Sequence, residues 1–441
     1  MTKEKLKKIA IKAIDDHRDE IYAMGDSIFT EPELGYKEYK TSEKVVDLFK
    51  QLGFNYRTEV AITGVIADLK GKESKAKIAV MGELDAVIAS SHPQADQTTG
   101  AAHACGHNCM IAALAGVAYA LGTTEIMKHL SGDVSLMAVP AEEFVEIEYR
   151  KGLIDEGKIN FIGGKQEFIY LGEFDDIDVA LMEHNGIAMD GVVACGGYGS
   201  NGFLGKMIQY QGRAAHAGAA PHLGINALNA ANIGLSAVNY QRETFLDEDS
   251  IRIHPIITKG GELVNTVPDD VRIETYIRGA NVNAILDANK KVDRAFQAGA
   301  YAVGATCNII DLPGYLPLIM CDPLMEIMVE NQQEILGADK VAYAGPPMGG
   351  STDAGDLSNI VPTLHCGFGG VAGDLHSGEF TITDKEIAYV AAAKGLVMTL
   401  IDLLWDGAAK TIEVKERFTP NLTKEEYLKD WGSMGRKGVE S

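Results

Sequence analysis

The sequence predicts an α/β protein in which one acidic domain is interrupted by a smaller ferredoxin-like βαββαβ unit. Three observations carry that reading. Short β-rich runs alternate with stretches of helical spacing. Residues 197–310 hold ten Lys or Arg against ten Asp or Glu, so the formal charge of -22 belongs to the flanking segments. Polar residues able to bind a metal follow several apolar runs, the strand ends where open α/β sheets place their sites.

From Lys3 to about Gly53 the apolar residues recur at helical spacing, with a break at Glu31-Pro32 and a second run over Thr41–Leu52, which predicts two helices. Strands follow at Val60–Leu69 and Lys77–Met81, then a loop through Ser90-Ser91-His92-Pro93 and a long helix after Cys105. Met110–Leu121 is uncharged but shorter than the roughly 18 residues that cross a bilayer, so it reads as a buried helix. A strand at Asp133–Pro140 ends at Ala141-Glu142-Glu143, and another at Asp178–Glu183 ends at His184, with a long intervening stretch from Phe144 to Leu171.

The neutral unit reads as a strand at Phe203–Gln211, a helix at Ile225–Gln241, strands at Ile251–Lys259 and Val271–Arg278, a helix at Ala284–Val303 and a strand at Ala305–Ile310. After Pro313 the chain returns to α/β character and ends in a helix at Lys385–Leu404 and a charged tail. The predicted division is therefore 1–196 and 311–441 for the first domain and 197–310 for the insertion.

Composition narrows the function classes. At 441 residues, 46% hydrophobic and 23% charged, the chain is long and apolar enough for sizeable cores, and disorder is excluded. An acidic surface repels phosphate backbones and anionic lipid, so neither nucleic acid nor membrane is an expected partner. Six sparse cysteines suit a reducing compartment. The charged, amphipathic first 20 residues lack the pattern of a signal peptide, and a cytoplasmic protein is the expectation.

His103-Ala104-Cys105-Gly106-His107 puts a thiol and an imidazole two residues apart just before a helix. Such a pair is either a buried structural cysteine with a helix-capping histidine or two metal ligands of borderline softness. Glu142 and Glu143 are adjacent carboxylates that must point different ways, so one can bind a metal while the other stays free as a base. Glu83-Leu84-Asp85 ends another strand, where Asp85 is placed to orient an imidazole. Cys105, His107, one of Glu142 and Glu143, His184 and His376 make five donors, too many for one tetrahedral zinc and suited to two ions that share a bridge.

These residues occur in a recognisable order: Glu83-Leu84-Asp85, His103 to His107, Pro140 to Glu143, Met182-Glu183-His184, Ala215-His216-Ala217 with Pro221-His222, Asn265 to Pro268, Gly349 to Asp353, and His376 to Phe380. The sequence resembles the metallopeptidase family of aminoacylase and carboxypeptidase G. It is most similar to the amidohydrolase branch with a Cys ligand, which holds N-acyl-amino-acid amidohydrolases, hippurate hydrolases and aminobenzoyl-glutamate hydrolase subunits. The resemblance implies a zinc-exopeptidase-like domain with a mixed sheet and an inserted unit that dimerises and acts as a lid. It implies two divalent metals, zinc or manganese before cobalt or nickel, held by Cys105, His107, Glu143, His184 and His376. Glu142 would be the general base, with Asp85 behind the ligands. His216 would stabilise an oxyanion in its own or a partner's site, and Asn265 and Arg278 would hold a substrate carboxylate.

The sequence departs from the branch in three places. Asn108, Cys109 and Met110 follow His107 where many members have Asp and a further His, which favours the aminobenzoyl-glutamate and acyl-dipeptide side. Glu83 and Val87 replace a common Asp and a frequent Pro, and the stretch 144–171 is unusually long. The expected activity is hydrolysis of N-acyl amino acids or related conjugates by a homodimer. The competing readings are a dipeptidase or aminopeptidase of the same family, an inactive metal-binding subunit, and a thiol-redox protein using Cys105 and Cys109.

Overall fold

The structure, a computed structural model, describes residues 1–186 and 191–434. It divides into two compact units. The first comprises Met1–Gly199, Ile319–Pro347 and Asp356–Thr423; the second comprises Ser200–Leu318, Met348–Gly355 and the segment from Lys424.

The first unit opens with three helices rather than the expected two: α1 (Lys3–Asp16), α2 (Arg18–Phe29) and α3 (Tyr39–Gln51). The extra break is at His17, which leaves helical geometry (φ -112°, ψ 23°) while its ring stacks on Tyr119 at 4.4 Å. A tertiary stacking partner leaves no trace in local periodicity. The single run expected over Val60–Leu69 is also split, into a hairpin of β1 (Tyr56–Val60) and β2 (Gly64–Leu69). Its turn uses Ala61 and Ile62 at positive φ (51° and 73°), residue types that give no turn signal.

Then come β3 (Lys77–Glu83), α4 (His107–Gly122), β4 (Asp133–Val139), α5 (Ile147–Asp155), α6 (Gly164–Leu171), β5 (Val179–Asn185) and β6 (Ala194–Cys195). The long stretch after Glu143 thus holds two helices, α5 and α6. In the second unit lie β7 (Gly202–Gln211), α7 (Ala227–Tyr240), β8 (Arg252–Ile253), β9 (Ile256–Lys259), β10 (Asp270–Gly279), α8 (Val282–Val303) and β11 (Thr306–Leu312). The first unit closes with α9 (Asp322–Leu336), β12 (Val341–Ala342), β13 (Thr363–Phe368) and α10 (Ala392–Leu404), the last preceded by a wider π turn at Glu386–Ala391.

The main sheet is mixed, in the order β1-β2-β4-β3-β5-β13-β6-β12. Its central strands β4, β3, β5 and β13 run parallel, so Glu83 pairs with Val139 and His184 with Gly367 at one common edge. Fully buried parallel strands need cover on both faces. Helix α4 supplies much of it, buried along its length from His107 to Leu121, and Gly116 admits Ala393 so closely that a Cβ would stand 2.5 Å from that side chain. Among the described residues one helix, Glu386–Leu404, is long and apolar enough to span a membrane; 94% of it is buried within the fold, as in a core helix.

The second unit holds β8 and β9 on one side of β10, followed by β7 and β11, all antiparallel. Strand β10 alternates buried and accessible residues, the pattern of a sheet with one covered face. Residues of α7 and α8, including Ala230, Val238, Val292 and Phe296, pack with Ile208, Ile273 and Ile277. The strand expected over Ile251–Lys259 is interrupted at His254-Pro255, since proline cannot donate to the ladder.

Candidate metal centre

The parallel strands deliver the chemistry. Glu83 ends β3 and leads to Asp85, the chain after β4 leads to Glu142 and Glu143, and His184 lies near the end of β5. Helix α4 begins at His107, after Gly106 in the left-handed conformation (φ 88°), so Cys105 and His107 leave one tight turn together. His376 also has positive φ (62°), and its N–H donates to Ala104 O at 2.8 Å. That bond ties the distant loop to the Cys105 turn.

The donor atoms converge. Cys105 Sγ lies 3.5 Å from His184 Nε2 and 3.4 Å from His376 Nε2, and His376 Nε2 lies 3.0 Å from Glu143 Oε1. Two groups of possible ligands result, Cys105 with His107 and His184, and Cys105 with Glu143 and His376, each with donor atoms within 4.8 Å of one another. They share the cysteine sulfur, the arrangement of a bridged pair of cations.

The surroundings fix the histidine tautomers. His107 Nδ1–H donates to Asp85 O at 2.8 Å, and Asp85 Oδ1 lies 3.2 Å away. His184 Nδ1–H donates to Asn185 O at 2.7 Å. Carbonyl oxygens only accept, so Nδ1 carries a proton in both rings and Nε2 is the atom each ring offers to the centre. Asp85 Oδ2 also accepts the Glu143 N–H at 2.9 Å, so one buried carboxylate orients two candidate ligands.

Electrostatics agree with a site built for cations. Burial and Glu143 push the Cys105 thiol up, but His184 and His107 outweigh them and bring it down to about 5. The Glu143 carboxylate raises His376 to about 11 against the opposing effect of burial. Burial opposes the charged forms of Glu143 and His107 alike. His376 and His107 nevertheless hold Glu143 below the usual carboxylate range, and Glu83, Cys105 and Asp85 hold His107 well above the usual imidazole range. Glu83 Oε2 faces His107 Nε2 and Glu143 Oε1 faces His376 Nε2, each at 3.0 Å, so metal ions would take the place of protons between buried donor atoms. Two thiolate-, imidazole- and carboxylate-ligated divalent ions fit this donor set.

Glu142 lies beside these candidate donors, its Oε2 3.9 Å from His107 Nε2. The second unit brings together other residues singled out from the sequence. Ala217 N–H donates to Asn265 O at 2.8 Å and His216 pairs with Thr266, so His216 and Asn265 share one corner. His216 Nδ1 accepts from the Gly218 and Ala219 N–H groups at 3.2 and 3.0 Å, which leaves Nε2–H as a donor. Arg278 Nη1 donates to Ser351 Oγ at 2.8 Å and its guanidinium lies 5.2 Å from the Phe203 ring centre.

Sequence reasoning passed over several buried polar groups of the first unit. Glu183, with both carboxylate oxygens unbonded, is raised by burial to about 8. His365 lacks partners on both ring nitrogens and packs against His184 and Tyr198. Lys165 of α6 is fully buried and pairs with Glu83. A strand-end carboxylate such as Glu83 was a visible signal; Lys165, one of many lysines, was not. Cys109 is buried and free, and burial raises its thiol well above the usual range, the state of an inert packing residue.

Residues 79–398 match the model of peptidase family M20/M25/M40. The chain is 27% identical to an Xaa-Arg dipeptidase of Mus musculus, covering 96% of this chain and 95% of that protein. It is 24% identical to an N-acyl-L-amino acid amidohydrolase of Geobacillus stearothermophilus, over 73% of this chain and 82% of the relative. A dinuclear metal-binding peptidase of the M20 family from Bacillus subtilis superposes with a TM-score of 0.64 at 20% identity, covering 88% of this chain and 99% of that one. With a family match across most of its length and two donor groups sharing one cysteine, the chain belongs to peptidase family M20/M25/M40 and is a hydrolase of that family.

Proposed function

We propose that the chain is a two-metal amidohydrolase that cleaves the amide between an acyl group and an amino acid bearing a free carboxylate. The observation that carries this reading is the pair of donor groups sharing Cys105 with Glu142 alongside. Cys105, His107 and His184 would hold one ion and Cys105, Glu143 and His376 the other. Ions bound there would polarise the scissile carbonyl and acidify water. Zinc and manganese suit the mixed donors best, with cobalt and nickel as further candidates.

The chain's own residues supply the rest. Glu142 takes a proton from the attacking water and passes it to the leaving nitrogen. Asp85 keeps His107 in the ligating tautomer. His216, with Nε2–H left as its donor, stabilises the oxyanion, and Asn265 and Arg278 receive the substrate carboxylate. Arg278 suits that task because a guanidinium fork matches a carboxylate, and Ser351 helps to orient it.

On this reading the unit that includes 197–310 is the dimerisation and lid element of a homodimer, and the remainder is the catalytic domain. Exposed Tyr240, Ile256, Leu263 and Val264 on that unit supply apolar surface for a second copy. Six free cysteines among the described residues suit the cytoplasm.

A screen of N-acyl amino acids and dipeptides, with the metal-depleted protein reloaded with zinc, manganese, cobalt or nickel, tests the proposal. Release of free amino acid from N-acyl substrates is expected. Exclusive cleavage of free-amine dipeptides would establish the dipeptidase alternative, which the near full-length similarity to an Xaa-Arg dipeptidase supports. No hydrolysis with any metal would overturn both.

A further inference from the structure

Glu83 stands outside both groups of ligands assigned above, yet it is the best-placed unused donor in the fold. Its side chain is 1% exposed. Oxygen Oε1 accepts from Lys165 Nζ, a side chain with no exposure on helix α6. Oxygen Oε2 lies 3.0 Å from His107 Nε2, and neither atom has a hydrogen bond. Glu83, His107 and Glu142 together form a third group with donor atoms within 4.8 Å.

One ring proton of His107 is committed elsewhere. Nδ1–H donates to Asp85 O, so Nε2 is the ring atom that faces Glu83 Oε2, and a metal ion bound there would take the place of the Nε2 proton. A proton or a metal ion can sit between two buried groups this close, and the site already gathers Glu83, His107 and Glu142 around that position. Two ligands each about 2.0–2.2 Å from one ion stand about 3.0–3.5 Å apart in octahedral or tetrahedral geometry. The spacing here matches one edge of such a polyhedron.

We propose that Glu83 is a further carboxylate ligand of the ion held by Cys105, His107 and His184, and that Lys165 occupies its other oxygen so that it binds through Oε2 alone. The inference rests on the two-metal reading and extends it. Lys165 comes from the long stretch after Glu143, so that stretch would tune the metal centre from behind the strands. A carboxylate oxygen added to sulfur and nitrogen donors makes this position harder and raises its coordination number.

Metal-depleted protein titrated with Zn²⁺ in competition with a chromophoric chelator tests this, with Co²⁺ absorption as a second readout. Wild type must bind two ions; if it does not, the two-metal reading fails whatever Glu83 does. Glu83→Gln is expected to weaken one binding step about tenfold or more while leaving the other unchanged. In the cobalt form the ligand-field bands should move while the charge-transfer band of the Cys105 thiolate persists. Lys165→Met should weaken the same step and Lys165→Arg should largely restore it, a pattern that a general loss of packing would not produce. Should Glu83→Gln not fold, Glu83→Asp retracts the carboxylate by one methylene and is read the same way. Affinities for both ions within threefold of wild type in the folded Glu83 variant would overturn the proposal.

Discussion

Glu142 and Glu143 are neighbours in the chain and part company in space. Glu143 meets His376 at 3.0 Å, whereas Glu142 stops 3.9 Å from His107. Glu142→Gln should therefore lower turnover by about 10²–10⁴-fold, the usual contribution of a general base, while elemental analysis still finds two metals. A metallated variant with wild-type turnover would refute the assignment. Asp85 acts through others, since it holds His107 by its ring and Glu143 by its backbone. Asp85→Asn is expected to cost about 10–100-fold in metal affinity, measured by chelator competition.

His376 gives the same scale a pH signature. In the metal-free protein Glu143 raises it to about 11, so it carries a proton at neutral pH that an ion must displace. Metal affinity should rise with pH up to that value, and calorimetry in buffers of different ionisation enthalpy should detect proton release. For the metal-free fold the sign is fixed by linkage. A raised histidine pKa contributes stability that is full below the ordinary value near 6.5 and lost as pH climbs through about 11. The depressed Glu143 contributes above the ordinary carboxylate range and is lost in acid. The melting temperature of the metal-free protein should fall on either side of that window.

Among the elements, the strands were the most legible and the breaks between them the least. Apolar runs at Lys77 and Asp133 announced the central sheet, because buried parallel strands need continuous hydrophobicity. The turn at Ala61-Ile62 and the kink at His17 did not show, since each depends on contacts made only after folding. Helix α6 illustrates how tightly those contacts are set. A Cβ on Gly164 would fall 1.7 Å from Pro140 O, the residue that leads into Ala141-Glu142-Glu143. Gly164→Ala should push the strand end and α6 apart, destabilising the fold by about 1–3 kcal/mol and lowering turnover with it. Thermal unfolding and a rate assay on one preparation check both.

For the whole molecule, metal removal is the broadest test. Ions that bind only the folded chain stabilise it by about 2.7 kcal/mol for each site at a hundredfold excess over Kd. Chelation should lower the melting temperature and re-addition restore it. An unchanged melting temperature would argue against an ion tied to the core strands.

The sequence alone determined the α/β class with its neutral βαββαβ run and singled out the Cys, His and Glu residues that are candidate donors. Hydrophobic period, charge and spaced Cys, His and Glu residues are local properties that survive in one dimension. Only the tertiary structure decided which atoms meet. The sharing of Cys105 between two groups, the capture of His107 by Asp85, and the pairing of Glu83 with Lys165 across 82 positions all require strands from distant parts of the chain to end at one edge. Burial then makes each of those meetings consequential, because a charged or polar atom removed from water must find a partner.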